Sequence, residues 1–177
     1  MPPASLPGAA GYCFALVVSR FNQAITGSLR DGARAALTEA GVAAEDIDEM
    51  NVSGAFELPQ AARSAAETGR FDAVICLGCV IRGATPHFEY ISSAVAHGIM
   101  DAAGATGVPI AFGVLTTDSQ AQAEERAGSG RDNKGWEAAA AAIEMAVLYR
   151  RLGRPPARGP GTWSFGFEPG ATRGTGS

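Results

Sequence analysis

Short apolar runs alternate with helically patterned stretches along this chain. Tyr12–Val18 is continuously apolar and reads as a first strand, Ile47–Val52 as a shorter second, Asp72–Val80 as a third and Val108–Thr116 as a fourth. Between them, Ile25, Leu29, Ala33, Ala36 and Leu37 recur at helical spacing, which predicts a helix over Ala24–Ala40 stopped by Gly41. A second helix is expected from Pro59 to Gly69, with the proline in the first helical position. A third is expected from Pro86 to about Gly104, capped by Thr85, and a short one over Gln120–Ala127. After the loop Gly128-Ser129-Gly130-Arg131-Asp132, an Ala-rich helix runs to Leu152.

Strands that are apolar throughout, each followed by a helix, specify a parallel sheet buried on both faces. The predicted fold class is therefore α/β, a three-layer sandwich around a four-stranded parallel sheet of flavodoxin-like type. Ligands of such sheets bind beyond the carboxyl ends of the strands. The pattern divides the chain into an N-terminal arm (1–11), a domain (12–152) and a tail (153–177). The tail holds seven Gly and four Pro with no periodicity, and is read as a disordered or surface-laid segment. Its alternating Trp163, Phe165 and Phe167 leave docking on a neighbouring chain open.

Composition narrows this picture. A length of 177 residues suits one domain. Aromatic residues are only 7%, so the core must rest on Ala, Val, Leu and Ile. Charged residues at 18% fall below the usual quarter, a hint that other subunits cover part of the surface. A net charge of −4 offers no attraction for nucleic acid or an anionic membrane, and no apolar run is long enough to span a bilayer. The N-terminus lacks a basic segment, so no secretory signal is expected, and three cysteines fit a reducing cytoplasm. Cys76 and Cys79 form a CxxC inside the third strand, where residues three apart point to opposite faces. They are expected to be buried small side chains, neither disulfide nor metal ligands.

The candidate chemistry falls in the strand-to-helix loops. In Arg82-Gly83-Ala84-Thr85-Pro86-His87, a glycine that admits close approach precedes a helix start, whose amides and dipole favour an anion. His87 would stand beside that anion; an ordinary capped turn is the plainer alternative. His97 lies off the apolar stripe of its helix and reads as a surface residue, so a two-histidine metal site is not supported. Glu57 in Gly54-Ala55-Phe56-Glu57-Leu58-Pro59 can accept hydroxyls or complement a helix start. Phe21 can stack on a planar heterocycle or staple the next helix, and Asn22 beside it offers donor and acceptor. Lys134 is the sole lysine among fourteen basic residues, which suggests a place needing a compact ammonium. Arg126 either complements the end of its own helix or clamps a phosphate.

Six segments carry a resemblance. Ser19-Arg20-Phe21-Asn22, Gly54-Ala55-Phe56-Glu57-Leu58-Pro59, Val80-Ile81-Arg82-Gly83-Ala84-Thr85-Pro86-His87-Phe88, Phe112-Gly113-Val114-Leu115-Thr116-Thr117, Glu125-Arg126-Ala127-Gly128 and Asn133-Lys134-Gly135 are similar, in order and spacing, to the lumazine synthases. The resemblance covers about residues 12–152. It implies a transferase that joins 5-amino-6-ribitylaminouracil to 3,4-dihydroxy-2-butanone 4-phosphate, the penultimate step of riboflavin synthesis. Phe21 would then stack on the pyrimidine, with Phe56 beside it, while Asn22, Ala55 and Glu57 hold the ribityl chain. The backbone at Val80 and Ile81 would read the pyrimidine edge. Gly83, Ala84 and Thr85 would cradle the phosphate, and His87 would transfer protons. Phe112, Lys134 and Arg126 would arrive from a neighbouring subunit, Arg126 on the phosphate, with Glu137 near Lys134. Proton shuttling and a stabilised leaving group need no electron sink, so no metal or organic cofactor is expected.

Implied partners are the small-molecule substrates, further copies in a homopentamer or pentamer-based icosahedral cage, and riboflavin synthase. The departures are Ser53, where many members have proline, the 128–132 loop and the tail. A shell or binding role with catalysis secondary is an alternative, and so is an unrelated flavodoxin-like FMN module.

Overall fold

A computed structural model describes residues 5–159. Four strands, β1 (Phe14–Ser19), β2 (Ile47–Val52), β3 (Ala73–Ile81) and β4 (Ile110–Thr117), form one sheet in the order β2-β1-β3-β4. Every pairing is parallel. The helices are α1 (Gln23–Glu39), α2 (Leu58–Glu67), α3 (His87–Thr106), α4 (Gln120–Arg126) and α5 (Lys134–Arg151).

The alternation of side chains along each strand sorts the core into two layers. Phe14, Leu16 and Val18 of β1 and Ile75 and Leu77 of β3 meet Leu29, Ala33 and Leu37 of α1 and Ala139 and Ile143 of α5. Ala15, Val17, Val74 and Cys76 face the other way, onto Leu58 and Ala62 of α2 and Val95 and Ile99 of α3. The result is the expected three-layer sandwich. Cys79 belongs to the first layer and Cys76 to the second, so the CxxC thiols point to opposite faces as anticipated. Burial pushes both up, Cys76 to about 12 and Cys79 to about 11.

Close backbone approach joins α1 to α5. A Cβ at Gly135 would lie 1.9 Å from the Leu29 carbonyl oxygen, and one at Gly32 would lie 2.3 Å from Asn133 Oδ1. Asn133, buried at the start of α5, accepts from the Gly135 and Trp136 amides. Its Nδ2 faces the carbonyls of Ser28, Ala127 and Gly128 at 3.1, 3.0 and 2.7 Å.

Two helix starts differ from expectation. Pro59 stands second in α2, because the 3-10 turn Ala55–Glu57 runs directly into Leu58. Thr85 does not cap α3; the helix begins at His87, with Pro86 as its flanking residue and no side-chain cap. The Pro86 carbonyl takes the Glu89 amide at 3.0 Å, which starts the first turn one residue later than predicted.

Residues 153–159 lie back across the amino ends of the strands. Arg154 donates to the Gly107 carbonyl. The amides of Arg158 and Gly159 reach the Gly69 and Arg70 carbonyls at 3.0 and 3.2 Å, and Ala157 N–H donates to Asp72 at 3.3 Å. Trp163, Phe165 and Phe167 lie outside the described residues. Among the described residues, no helix is long and apolar enough to cross a membrane.

Candidate active site

The strand order places β1 beside β3 with β2 and β4 on opposite flanks. The chain leaves β1 for one side of the sheet and reaches β3 on the other, which opens a crevice at their carboxyl ends. Asn22 sits at its base. Among the described residues it is the one non-glycine with a positive φ (φ 59°, ψ 47°), a conformation asparagine tolerates better than most. Its Nδ2 donates to the Cys79 carbonyl at 3.1 Å, tying the β1 exit to the end of β3.

A cavity of about 420 Å³ occupies this crevice. Phe21 and Asn22 border it after β1, Ala55 and Phe56 after β2, and Val80, Ile81, Gly83, Thr85 and His87 along the β3 exit. Phe21 is 68% exposed and Phe56 60%, so neither aromatic ring is spent on the core. The staple reading of Phe21 therefore fails: a side chain this exposed packs under nothing. His87, the first residue of α3, stands exposed on the rim. Phe88 and Ile91 also line the cavity, one and four residues further on. Neither was named as a site residue from the sequence, although Ile91, four residues on from His87, shares its helix face.

Two of the residues predicted from the strand-exit loops of β2 and β3 are not on the cavity wall. Ala84 is exposed in the loop, between Gly83 and Thr85. Glu57 turns back on its own loop, where Oε2 accepts the Gly54 amide at 2.8 Å. That contact supplies the helix-start role that the sequence left open beside hydroxyl binding.

The remaining predicted residues gather elsewhere. Phe112, Arg126, Lys134 and Glu137 border a separate hollow of about 440 Å³ along the edge strand β4 and the start of α5. It shares no lining residue with the crevice. Lys134 Nζ lies 2.7 Å from Glu137 Oε1, and Phe112 is 44% exposed. Arg126 donates to the Gln122 carbonyl one turn back at 3.1 Å, as a cation closing its helix does. A single chain thus carries two half-furnished recesses. Among the described residues, no group of three or more His, Cys, Asp or Glu side chains is placed to hold a metal ion. His97 is exposed on α3, its Nδ1 2.8 Å from the Ser93 carbonyl oxygen, as a surface residue should be.

Comparison with known proteins decides the family. The description of the 6,7-dimethyl-8-ribityllumazine synthases matches residues 11–150. The chain belongs to that family. The 6,7-dimethyl-8-ribityllumazine synthase of Syntrophus aciditrophicus (strain SB) is 58% identical over 144 residues, which are 81% of this chain and 94% of that protein. Among solved structures, a GDP-L-fucose synthetase from Naegleria fowleri aligns with a TM-score of 0.36 and 11% identity. That alignment covers 85% of this chain but only 46% of the other, and it carries no argument.

Proposed function

We propose that the crevice of one chain and the β4 hollow of a second copy together form the active site. The activity is that of the family, the lumazine-forming condensation in riboflavin biosynthesis, a transferase reaction. In it, 5-amino-6-ribitylaminouracil and 3,4-dihydroxy-2-butanone 4-phosphate give 6,7-dimethyl-8-ribityllumazine, phosphate and water.

The observation that carries this reading is the division of the candidate residues. Aromatic faces, a histidine and a glycine loop stand at one recess, while the arginine, the lysine and a third aromatic stand at another. Neither set suffices alone. Phe21 offers its exposed face to the pyrimidine, and Asn22, Ala55 and Glu57 follow the ribityl hydroxyls. Glu57 has a second carboxylate oxygen to accept them beside the one that holds Gly54. Gly83, Ala84 and Thr85 approach the phosphate at the start of α3, where the helix dipole favours an anion. His87 moves protons during imine formation and ring closure, a role for which an imidazole on the cavity rim is placed. Arg126 of the second copy completes the phosphate site and stabilises the leaving group. Holding both substrates together supplies much of the rate.

The same reading extends to a cytoplasmic homopentamer. The short connection between Arg126 and Asn133 leans toward pentamers assembled as an icosahedral cage, with riboflavin synthase as the partner that takes the product.

Mixed assembly tests the composite site. His87→Ala lowers kcat by roughly two orders of magnitude, and Arg126→Ala weakens use of the phosphorylated substrate. Co-refolding the two variants pairs an intact crevice with an intact hollow at about a quarter of the interfaces. Lumazine absorbance should then recover well above the sum of the separate variants. No recovery in co-assembled protein would show that each site lies within one chain.

A further inference from the structure

The loop between β3 and α3 is lightly held. Residues 82–87 are all exposed, a Cβ at Gly83 would meet nothing within 4 Å, and α3 has no side-chain cap. Yet the loop must present its backbone to a doubly charged group, and backbone donors work only when they are fixed before the ligand arrives.

Arg82 is the residue that reaches in every direction from it. Its amide donates to the Thr117 carbonyl at 2.8 Å, extending the β3–β4 ladder by one bond. Its Nε donates to Asp118 Oδ1 at 2.6 Å, just past the end of β4. Its Nη1 donates to Glu89 in the first turn of α3. The guanidinium carbon stands 4.3 Å from the ring centre of Phe88, which lines the cavity. One planar fork therefore joins the entry of the loop, its exit and the neighbouring strand. Lysine has a single point of charge and cannot satisfy two carboxylates while stacking on a ring.

We propose that Arg82 is a positioning residue for the phosphate loop, clamping residues 83–85 between Asp118 and Glu89. This rests on the reading of that loop as the phosphate site. Two of its donors are already taken, Nε by Asp118 and Nη1 by Glu89, so the guanidinium serves the loop rather than a ligand. Because these ion pairs are exposed, they add little to overall stability, and their effect falls on the loop.

Steady-state kinetics on the full-length assembly test the clamp. Arg82→Lys and Asp118→Asn should each raise KM for the four-carbon phosphate roughly tenfold. Both should weaken competitive inhibition by inorganic phosphate, with KM for the pyrimidine and the unfolding midpoint nearly unchanged. Glu89→Gln should act in the same direction, and the Arg82→Lys/Asp118→Asn pair should add little beyond either change. A direct phosphate ligand behaves oppositely, since Asp118→Asn would free the guanidinium and lower KM. Arg126→Ala separates the two levels of the claim. If it raises KM for the phosphate substrate while the clamp variants do not, the clamp is wrong and the phosphate reading stands. If neither Arg126→Ala nor the clamp variants change that KM, the phosphate reading itself falls.

Discussion

Cys76 lies on β3 with no exposed surface, and its thiol is held up to about 12 from an ordinary 9.0 by burial. In the unfolded chain the same thiol releases its proton above about 9, while the folded protein retains it. The unfolded state therefore binds fewer protons from pH 9 to 12, and stability falls as pH rises through that window. Cys13 and Cys79, both raised to about 11, act in the same sense. Urea midpoints measured upward from pH 9 should decline, and Cys76→Ala should make the decline shallower. A slope unchanged by Cys76→Ala would place the alkaline loss elsewhere. Residue identities with chemistry local to one loop were legible in the sequence: Phe21, Asn22 and His87 each stand at the crevice. Glu57 was legible only as an alternative, since acceptance of the Gly54 amide depends on a 3-10 turn that no periodicity announces.

The α1–α5 seam shows how far one element depends on the backbone of another. Gly135 leaves no room for a methyl group against Leu29, and α1 and α5 can separate only by giving up the packing of Leu29, Leu37 and Ile143. Gly135→Ala should cost about 3 kcal/mol by overpacking. Asn133→Ala removes both the helix cap and the donor to three carbonyls, for a loss of about 2–3 kcal/mol. Chemical denaturation checks both, and a loss below 1 kcal/mol for Gly135→Ala would mean the seam yields readily. Strand β2 matched its predicted span because Gly54 and the turn after Gly41 punctuate it clearly. The start of α3 was misplaced by one residue because proline suits both the first helical position and the position before it, and only the Pro86–Glu89 bond chooses between them. The Asn133 cap was visible as a residue type at a helix start, but its links to Ser28, Ala127 and Gly128 were not. The Ser28 link joins residues 105 apart.

At the scale of the whole molecule, Asp72 joins the approach to β1 to the end of α5 and the segment after it. Nearly buried before β3, it accepts the Cys13 amide at 2.8 Å, a two-toothed contact from Arg150 near the end of α5 at 3.0 and 2.9 Å, and the Ala157 amide. Arg150 also lies over the Tyr12 ring, 3.5 Å from its centre. Removing one member of a buried, hydrogen-bonded pair strands the other, so Asp72→Ala should cost on the order of 3–5 kcal/mol, read from the unfolding midpoint. A far smaller loss would mean Arg150 finds other partners. Nothing in the sequence announced this anchor, since Asp72 and Arg150 are 78 residues apart and each reads as an ordinary charge at an element end. The segment fastened to it has a practical meaning. Gly159 rests by Arg70 at the foot of the sheet, whereas the crevice opens at its head, about 30 Å away along a strand as long as β3. A label attached at the exposed Arg158 therefore sits at the pole opposite the proposed catalytic mouth, where it leaves the crevice open.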